Sequence, residues 1–373
     1  MTIDSHCDTP SMLLRGRNLL AQPSRRLASG QTVTFEKMRS AGVGGSFFAL
    51  YTSNAFSPEA ARKRVNTMLS QLDKAVAACD FAAYASSAAD ALRNESEGKA
   101  SVFLGIENAT FCGSDVSAID PYLDRGVRYV IMTHARDNQF CDSCSGSGTS
   151  GGLTPLGKEM VRHLQSRGVY VDVSHLSEKT FYDILDITSA PIIASHSCCK
   201  ALCSHRRNLT DDQIRRIRDV GGAVQINFCP SFLRDDVSSD ATIADYEDRA
   251  DALEVALEKA VTELRSRVPE AWNPDYDFST MPEYVDYYAL LARYQALPSL
   301  PAISDVADHI CHVADLIGPE YVGFGSDFDG IYAAPHGLED VSGLPALFEE
   351  LSRRGFSASE IEGIKGNNLL KLL

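Results

Sequence analysis

The sequence predicts an α/β chain closed into a (β/α)8 barrel, a TIM barrel. Three observations predict it. Eight apolar or β-rich runs alternate with helical patterns along 373 residues, the rhythm of a parallel sheet crossed by helices. No glycine-rich phosphate turn follows the first strand, as an open doubly wound sheet normally carries. The ends of the predicted strands collect histidines and carboxylates, and barrel enzymes keep their chemistry at strand ends.

The predicted strands span residues 2–7, 43–51, 100–106, 129–133, 169–174, 192–195, 222–228 and 321–326. Helices fill the intervals. Ser57 caps a helix over 58–78, with Pro58 at its first position. Thr154-Pro155 opens 156–166 in the same way. Ser177 precedes a helix at 178–187, Thr210 one at 211–220 and Ser304 one at 305–317, which Gly318-Pro319 stops. The Gly/Ser run at 145–152 reads as a mobile loop. Cys198, Cys199 and Cys203 open a further helix, as small buried thiols. Residues 234–302 break the rhythm, with helical patterns at 242–266 and 282–294 and no strand. They read as a helical insertion between strands seven and eight, over or beside the barrel mouth, where βα loops emerge. The whole of 1–373 reads as one catalytic barrel domain.

Composition narrows the function. The chain is 44% hydrophobic and 23% charged, enough for a large core. A net charge of −15 argues against nucleic acid, whose phosphates need a basic surface. No stretch of about 20 apolar residues is present to span a membrane. The first strand begins at once, leaving no room for a signal peptide, so a cytoplasmic location is expected. The ten cysteines are then expected to be reduced. Cys141-x-x-Cys144 has no second such pair to complete a zinc site and reads as an incidental loop pair.

His6 and Asp8 lie two apart on a strand and project to one face, while Cys7 faces the other way and is excluded as a ligand. Glu107 ends the third strand, His134 the fourth, His175 the fifth, His196 the sixth and Asp327 the eighth. Strand seven ends in Asn227-Phe228, with no ionisable group. Imidazole and carboxylate donors without thiolate suit zinc, with manganese or cobalt as substitutes. One metal needs three or four ligands and this set offers more. A two-metal site absorbs them, with Glu107 as bridge, His6 and Asp8 on one ion, and His175 and His196 on the other. His309 and His312, three apart on a helix, have a spacing that can bind metal but no partner histidine or cysteine nearby, and read as supporting or packing residues; His163 and His336 read as surface residues, and Asp329 as a turn or supporting group.

Asp4-Ser5-His6-Cys7-Asp8-Thr9-Pro10 resembles the Asp-Gly-His-Asn-Asp-x-Pro element of the membrane dipeptidase (renal dipeptidase) family, zinc dipeptidases of the metal-dependent hydrolase barrel type. Residues 152–157, 171–177, Ser195-His196-Ser197 with Arg207-Asn208, Asp308-His309, 325–330, 337–342 and Gly366-Asn367-Asn368-Leu369 are similar to its further motifs, in the same order. The resemblance covers nearly the whole chain except about 234–302. It implies that His6, Asp8, Glu107, His175 and His196 hold two zinc ions, with Glu107 bridging. It implies that His134 contacts substrate near the scissile carbonyl, that Arg207 rather than Arg206 binds the terminal carboxylate, and that Asp327 exchanges protons with the bridging water. The implied activity is hydrolysis of dipeptides with a free C-terminal carboxylate, L-L and also L-D, by a homodimer. The chain departs from better-known relatives at Cys229 and Phe232, where they carry tyrosine. Two alternatives stay open. One is an N-acyl-amino-acid deacylase or other amide hydrolase of the same barrel superfamily; its common relatives open with His-x-His and use a lysine on strand four, which this chain lacks. The other is a binding protein with a dead site.

Overall fold

Eight parallel strands neighbour one another in the order in which the chain makes them. In the computed structural model, which describes residues 1–20, 32–273 and 276–373, they are β1 (Thr2–Cys7), β2 (Val43–Tyr51), β4 (Ala100–Glu107), β5 (Val127–Ile131), β6 (Tyr170–Asp172), β7 (Ile192–Ala194), β8 (Ala223–Ile226) and β9 (Val322–Phe324). Closure is made just beyond β9. Asp327 N donates to His6 O at 3.0 Å and Asp8 N to Phe328 O at 2.8 Å, so the barrel's seam lies against the site. One strand lies outside the expected eight: β3 (Ala82–Tyr84) pairs with β4 off the barrel path. Its three small or aromatic residues are too short a run to show alternation.

Side-chain parity sets the layers. Along β4, Val102, Leu104 and Ile106 pack outward under the helices, while Phe103 joins Phe47 and Tyr129 in the barrel interior. The Phe47 ring stacks on Phe103 at 4.8 Å and on Tyr129 at 5.2 Å. A Cβ on Gly105 would overlap the Tyr129 ring, so glycine there lets the tyrosine cross the interior towards the site. The same parity turns Glu107 inward. On β1 the pairing with β2 shifts register between Asp4 and Cys7. Beyond that irregularity His6 faces the interior, and Cys7 packs in the helix-facing core with its sulfur 3.2 Å from Ser46 Oγ.

Capping residues place the outer helices. Ser57 caps α3 (Pro58–Ala77), Thr154 caps α6 (Pro155–Ser166), Ser177 caps α7 (Glu178–Leu185) and Thr210 caps α8 (Asp211–Asp219). α13 (Ile303–Ile317) starts before its expected Ser304 cap, because Asp305 reaches back to accept from Ala302 N at 2.7 Å. α4 (Ala88–Ser96) and α14 (Leu344–Arg353) have no counterpart in the sequence reading. Residues 198–203 form turns rather than a helix, with all three thiols buried. The Gly/Ser run is tied down: Asp137 accepts from Ser147 N and Thr149 N, and Asp142 from Ser150 N and Gly152 N.

Between β8 and β9 the chain forms α11 (Ala241–Arg267) and α12 (Pro282–Gln295). Residues 274–275 of the expected insertion lie outside the described residues. Leu257, Val261, Tyr284, Tyr287 and Tyr288 make a core shared with Met12 of α1 (Thr9–Leu14), the helix that follows Asp8. Arg265 is buried and donates to Leu13 O and Leu14 O, both at 3.1 Å, and to Ala271 O at 3.0 Å. Arg15 and Arg64 reach up to Glu254 and Glu258 of α11. The insertion is therefore fastened to the elements that follow β1 and β2.

Candidate metal centre and active site

His6 and Glu107 sit at the ends of β1 and β4 themselves, whereas His175, His196 and Asp327 follow just beyond the ladders of β6, β7 and β9. His175 has φ +69°, Asp327 +61°, Asn108 +72° and Asp329 +68°. Left-handed backbone at non-glycine residues costs energy and clusters at functional turns. The turns at His175 and Asp327 aim those two side chains into the space at the strand ends where the other site residues meet.

Seven of the expected residues meet there. His6 Nε2 lies 3.4 Å from Glu107 Oε2, 3.7 Å from Asp8 Oδ2 and 3.8 Å from Asp327 Oδ1. Glu107 Oε1 lies 2.9 Å from His175 Nε2, 3.6 Å from His134 Nε2 and 3.8 Å from His196 Nε2. Donor atoms form three overlapping groups within 4.8 Å: His6 with Glu107 and His196, Glu107 with His134 and His175, and His6 with Asp8 and Asp327. Glu107 is common to the first two and so sits between them.

The donors fit a metal. His6 Nε2, Asp8 Oδ1 and Glu107 Oε2 are buried and have no hydrogen-bond partner among the described residues. Orphaned polar atoms are costly in a protein interior, and three at one place point to a cation. His175 Nε2 and His196 Nε2 approach to 2.9 Å, a separation that two bare lone pairs resist. Outer partners orient the rings: Tyr129 Oη lies 2.8 Å from His6 Nδ1 and Ser195 Oγ 2.8 Å from His196 Nδ1.

Electrostatics follow from burial. Burial pushes the Glu107 carboxyl up to about 8, with Asp8 adding to the rise and His6 opposing it. Burial likewise raises Asp327 to about 6. It lowers His134 to about 4, and carries His175 and His196 well below the usual imidazole value. Burial thus favours the neutral form of these three rings, the form that metal ligation requires. For His6, burial opposes the charge but Glu107 and Asp8 outweigh it.

Arg207 is 6% exposed, whereas neighbouring Arg206 is exposed. Its Nη1 donates to Ser197 Oγ at 3.4 Å and Nη2 to His196 O at 3.3 Å, and its Nε has no partner among the described residues. Asn227, on the strand set aside for lacking an ionisable group, donates to Asp327 Oδ2 at 2.9 Å. Cys229 N donates to Asn227 Oδ1 at 2.6 Å, which fixes the amide's orientation and leaves Asp327 Oδ1 facing His6. The reading of ionisable groups passed over Asn227, Tyr129 and Ser195. The signal was a polar residue at interior parity, beside a strand end for Asn227 and Ser195 and in mid-strand for Tyr129.

The other histidines take structural places. His309 accepts from Cys199 N at 3.0 Å through Nδ1 and its Nε2 lies 3.1 Å from Leu233 O. His312 pairs with Asp211, and His163 with Asp120. Asp329 accepts from Thr9 Oγ1 at 2.7 Å and from Thr32. Cys141 and Cys144 are free thiols, the first buried.

A parallel barrel with histidines and carboxylates converging at its strand ends defines a metal-dependent hydrolase. Comparison with known proteins makes this specific. The model of the membrane dipeptidase family (peptidase family M19) matches residues 1–373. The dipeptidase aclJ of Aspergillus oryzae is 31% identical over 351 residues, covering 91% of this chain and 69% of its own length. An uncharacterized dipeptidase of Schizosaccharomyces pombe is 31% identical over 392 residues, covering 99% and 79%. The crystal structure of the probable dipeptidase PvdM from Pseudomonas aeruginosa superposes with a TM-score of 0.79 at 26% identity, covering 100% of this chain and 94% of that one. The chain belongs to the membrane dipeptidase family, and it is a metallopeptidase acting on dipeptides. No helix among the described residues is long and apolar enough to cross a membrane.

Proposed function

We propose that the protein is a dinuclear-zinc dipeptidase, in which residues 1–373 act as one catalytic barrel domain. Its substrates are dipeptides with a free C-terminal carboxylate, of L-L and also L-D configuration. The observation that carries the reading is the convergence of orphaned His6 Nε2, Asp8 Oδ1 and Glu107 Oε2 beside the His175–His196 pair. His6 and Asp8 would hold one ion, His175 and His196 the other, and Glu107 both. When bound, such ions supply Lewis-acid polarisation of the scissile carbonyl and water acidic enough to ionise near neutral pH.

The chain's own groups do the rest. Asp327, poised by burial near pH 6, accepts a proton on Oδ1 and returns it to the leaving amine. Neutral His134 stands at the edge of the Glu107 cluster, placed to donate to the oxygen on which charge develops. Arg207, a buried cation that donates to the neutral Ser197 Oγ and His196 O, receives the carboxylate. N-acyl amino acids share that carboxylate, so a panel of dipeptides and N-acyl amino acids separates the deacylase alternative.

The decisive variant is Asp327→Asn. It is expected to keep the metal content of the parent while lowering dipeptide turnover by about 10²–10⁴-fold. Near-parental turnover would refute the proton-transfer role.

A further inference from the structure

Two carboxylates stand at almost the same distance from His6. Its Nε2 lies 3.7 Å from Asp8 Oδ2 and 3.8 Å from Asp327 Oδ1. A Cβ on Gly330 would overlap both of those oxygens, so they look onto one spot. Donor atoms of His6, Asp8 and Asp327 lie within 4.8 Å of one another, close enough to share an ion. Distance alone therefore does not decide which carboxylate is a ligand. Their other oxygens differ. Asp8 Oδ1 is buried without a hydrogen-bond partner among the described residues, whereas Asp327 Oδ2 accepts from Asn227 Nδ2 at 2.9 Å.

Asn227 is itself held on every side. It is fully buried. Its Oδ1 accepts from Cys229 N at 2.6 Å, which settles that the amide turns its nitrogen to Asp327. Nδ2 also reaches His196 O at 3.5 Å, a carbonyl that accepts from Arg207 Nη2 at 3.3 Å. Its main-chain oxygen accepts from Cys198 Sγ at 3.1 Å.

We infer that Asn227 is a positioning residue that separates the roles of the two carboxylates: it tethers Asp327 by Oδ2, so that Asp327 stays a proton carrier and, of the pair, only Asp8 becomes a ligand. The inference rests on the proton-transfer role proposed for Asp327. A carboxylate left free beside a divalent cation turns to it, because such cations take carboxylate oxygen readily. An oxygen bound to metal has lost the basicity that a proton carrier needs. The tether opposes that turn, since swinging Asp327 towards the ion would strand a buried N–H of Asn227.

The test reads zinc affinity, by competition with a chelator, beside dipeptide kinetics on the full chain. Asn227→Ala is expected to lower kcat by about 10–100-fold. It is expected to bind zinc at least as tightly as the parent, since Asp327 is released to the ion; a merely structural loss would loosen zinc instead. Cys229 has φ −59°, which proline accepts. Cys229→Pro therefore removes the N–H that orients the amide along with the thiol, and Cys229→Ala removes the thiol alone. The proline variant is expected to fall about 5-fold or more below the alanine variant in kcat, the scale of one hydrogen bond. In the Asp327→Asn background, Asn227→Ala is expected to change turnover by less than about twofold, because the two residues act as a unit. Parental kcat in Asn227→Ala, zinc loosened in it by about 10-fold or more, or its full loss repeated in the Asp327→Asn background overturns the inference. Should Asn227→Ala fail to fold, the two Cys229 variants decide, and equal kcat overturns the tether. Near-parental turnover in Asp327→Asn refutes proton transfer itself, whereas loss there with parental kcat in Asn227→Ala refutes only the tether.

Discussion

Arg207 lies buried beside His196 O and Ser197 Oγ, both neutral acceptors. A buried cation held this way is a site for an anion, because its desolvation is repaid only when a carboxylate arrives. Arg207→Lys keeps the charge but not the planar fork. It is expected to raise KM for dipeptides by about 10-fold, the scale of one charge-assisted hydrogen bond, with a smaller change in kcat. A KM within twofold of the parent contradicts the carboxylate role. At this scale the sequence was informative where a histidine, a carboxylate or Arg207 ended or followed a strand. His6, Asp8, Glu107, His134, His175, His196, Arg207 and Asp327 all lie at or beside one cluster. It was silent on Asn227, because an amide at a strand end carries no charge to draw notice. Its importance comes from what it touches, Asp327 Oδ2 on one side and Cys229 N on the other.

Among the elements, the predicted strands were placed well and their ends poorly. The run expected at 169–174 forms a ladder only over Tyr170–Asp172, and that at 321–326 only over Val322–Phe324. The reason is chemical. Just beyond these ladders the chain turns through the positive φ of His175 and Asp327 to aim their side chains, and apolar patterning does not report a turn. Helices 58–78 and 242–266 come within one residue of α3 and α11 at each end, because the Ser57 cap marks the first and apolar spacing the second. How α11 is attached was not legible, since its anchoring arginines, Arg15 and Arg64 from earlier in the chain and its own Arg265, pair with groups far away in the sequence. Arg265 satisfies the last carbonyls of α1 and lies 4.7 Å from the Trp272 ring centroid. Arg265→Ala leaves those carbonyls unpaired. It is expected to lower stability by about 2–4 kcal/mol, read as a drop in melting temperature. A change below about 0.5 kcal/mol, the usual size for surface positions, contradicts the anchoring role.

For the whole molecule, the site is a store of unfavourable charge when metal is removed. Glu107, raised to about 8, keeps its proton in the folded chain at a pH where the unfolded chain has lost it. The folded state then binds more protons, so stability falls as pH rises towards 8. His6, raised by Glu107 and Asp8 against burial, acts with the same sign. The depressed His175 and His196 act with the opposite sign, but their contribution is nearly complete once pH exceeds the ordinary imidazole value. Chelated protein is therefore expected to lose roughly 1 kcal/mol between pH 7 and 8, while zinc-loaded protein is not. Melting curves at the two pH values, with and without chelator, check this; parallel behaviour contradicts it. The barrel as a whole was legible because a βα rhythm is a local pattern. Its closure was not, since the bonds of Asp8 to Phe328 O and of His6 O to Asp327 N join positions some 320 residues apart.

The central claim is that one barrel mouth holds two metal ions through His6, Asp8, Glu107, His175 and His196. The most direct measurement is the metal content of the zinc-loaded, desalted chain and of its Glu107→Ala variant, taken with dipeptide turnover on the same samples. The account predicts two ions per chain in the parent, and in the variant a loss of bound zinc together with turnover. Full turnover with one ion or none, or an unchanged two ions in Glu107→Ala, would contradict it.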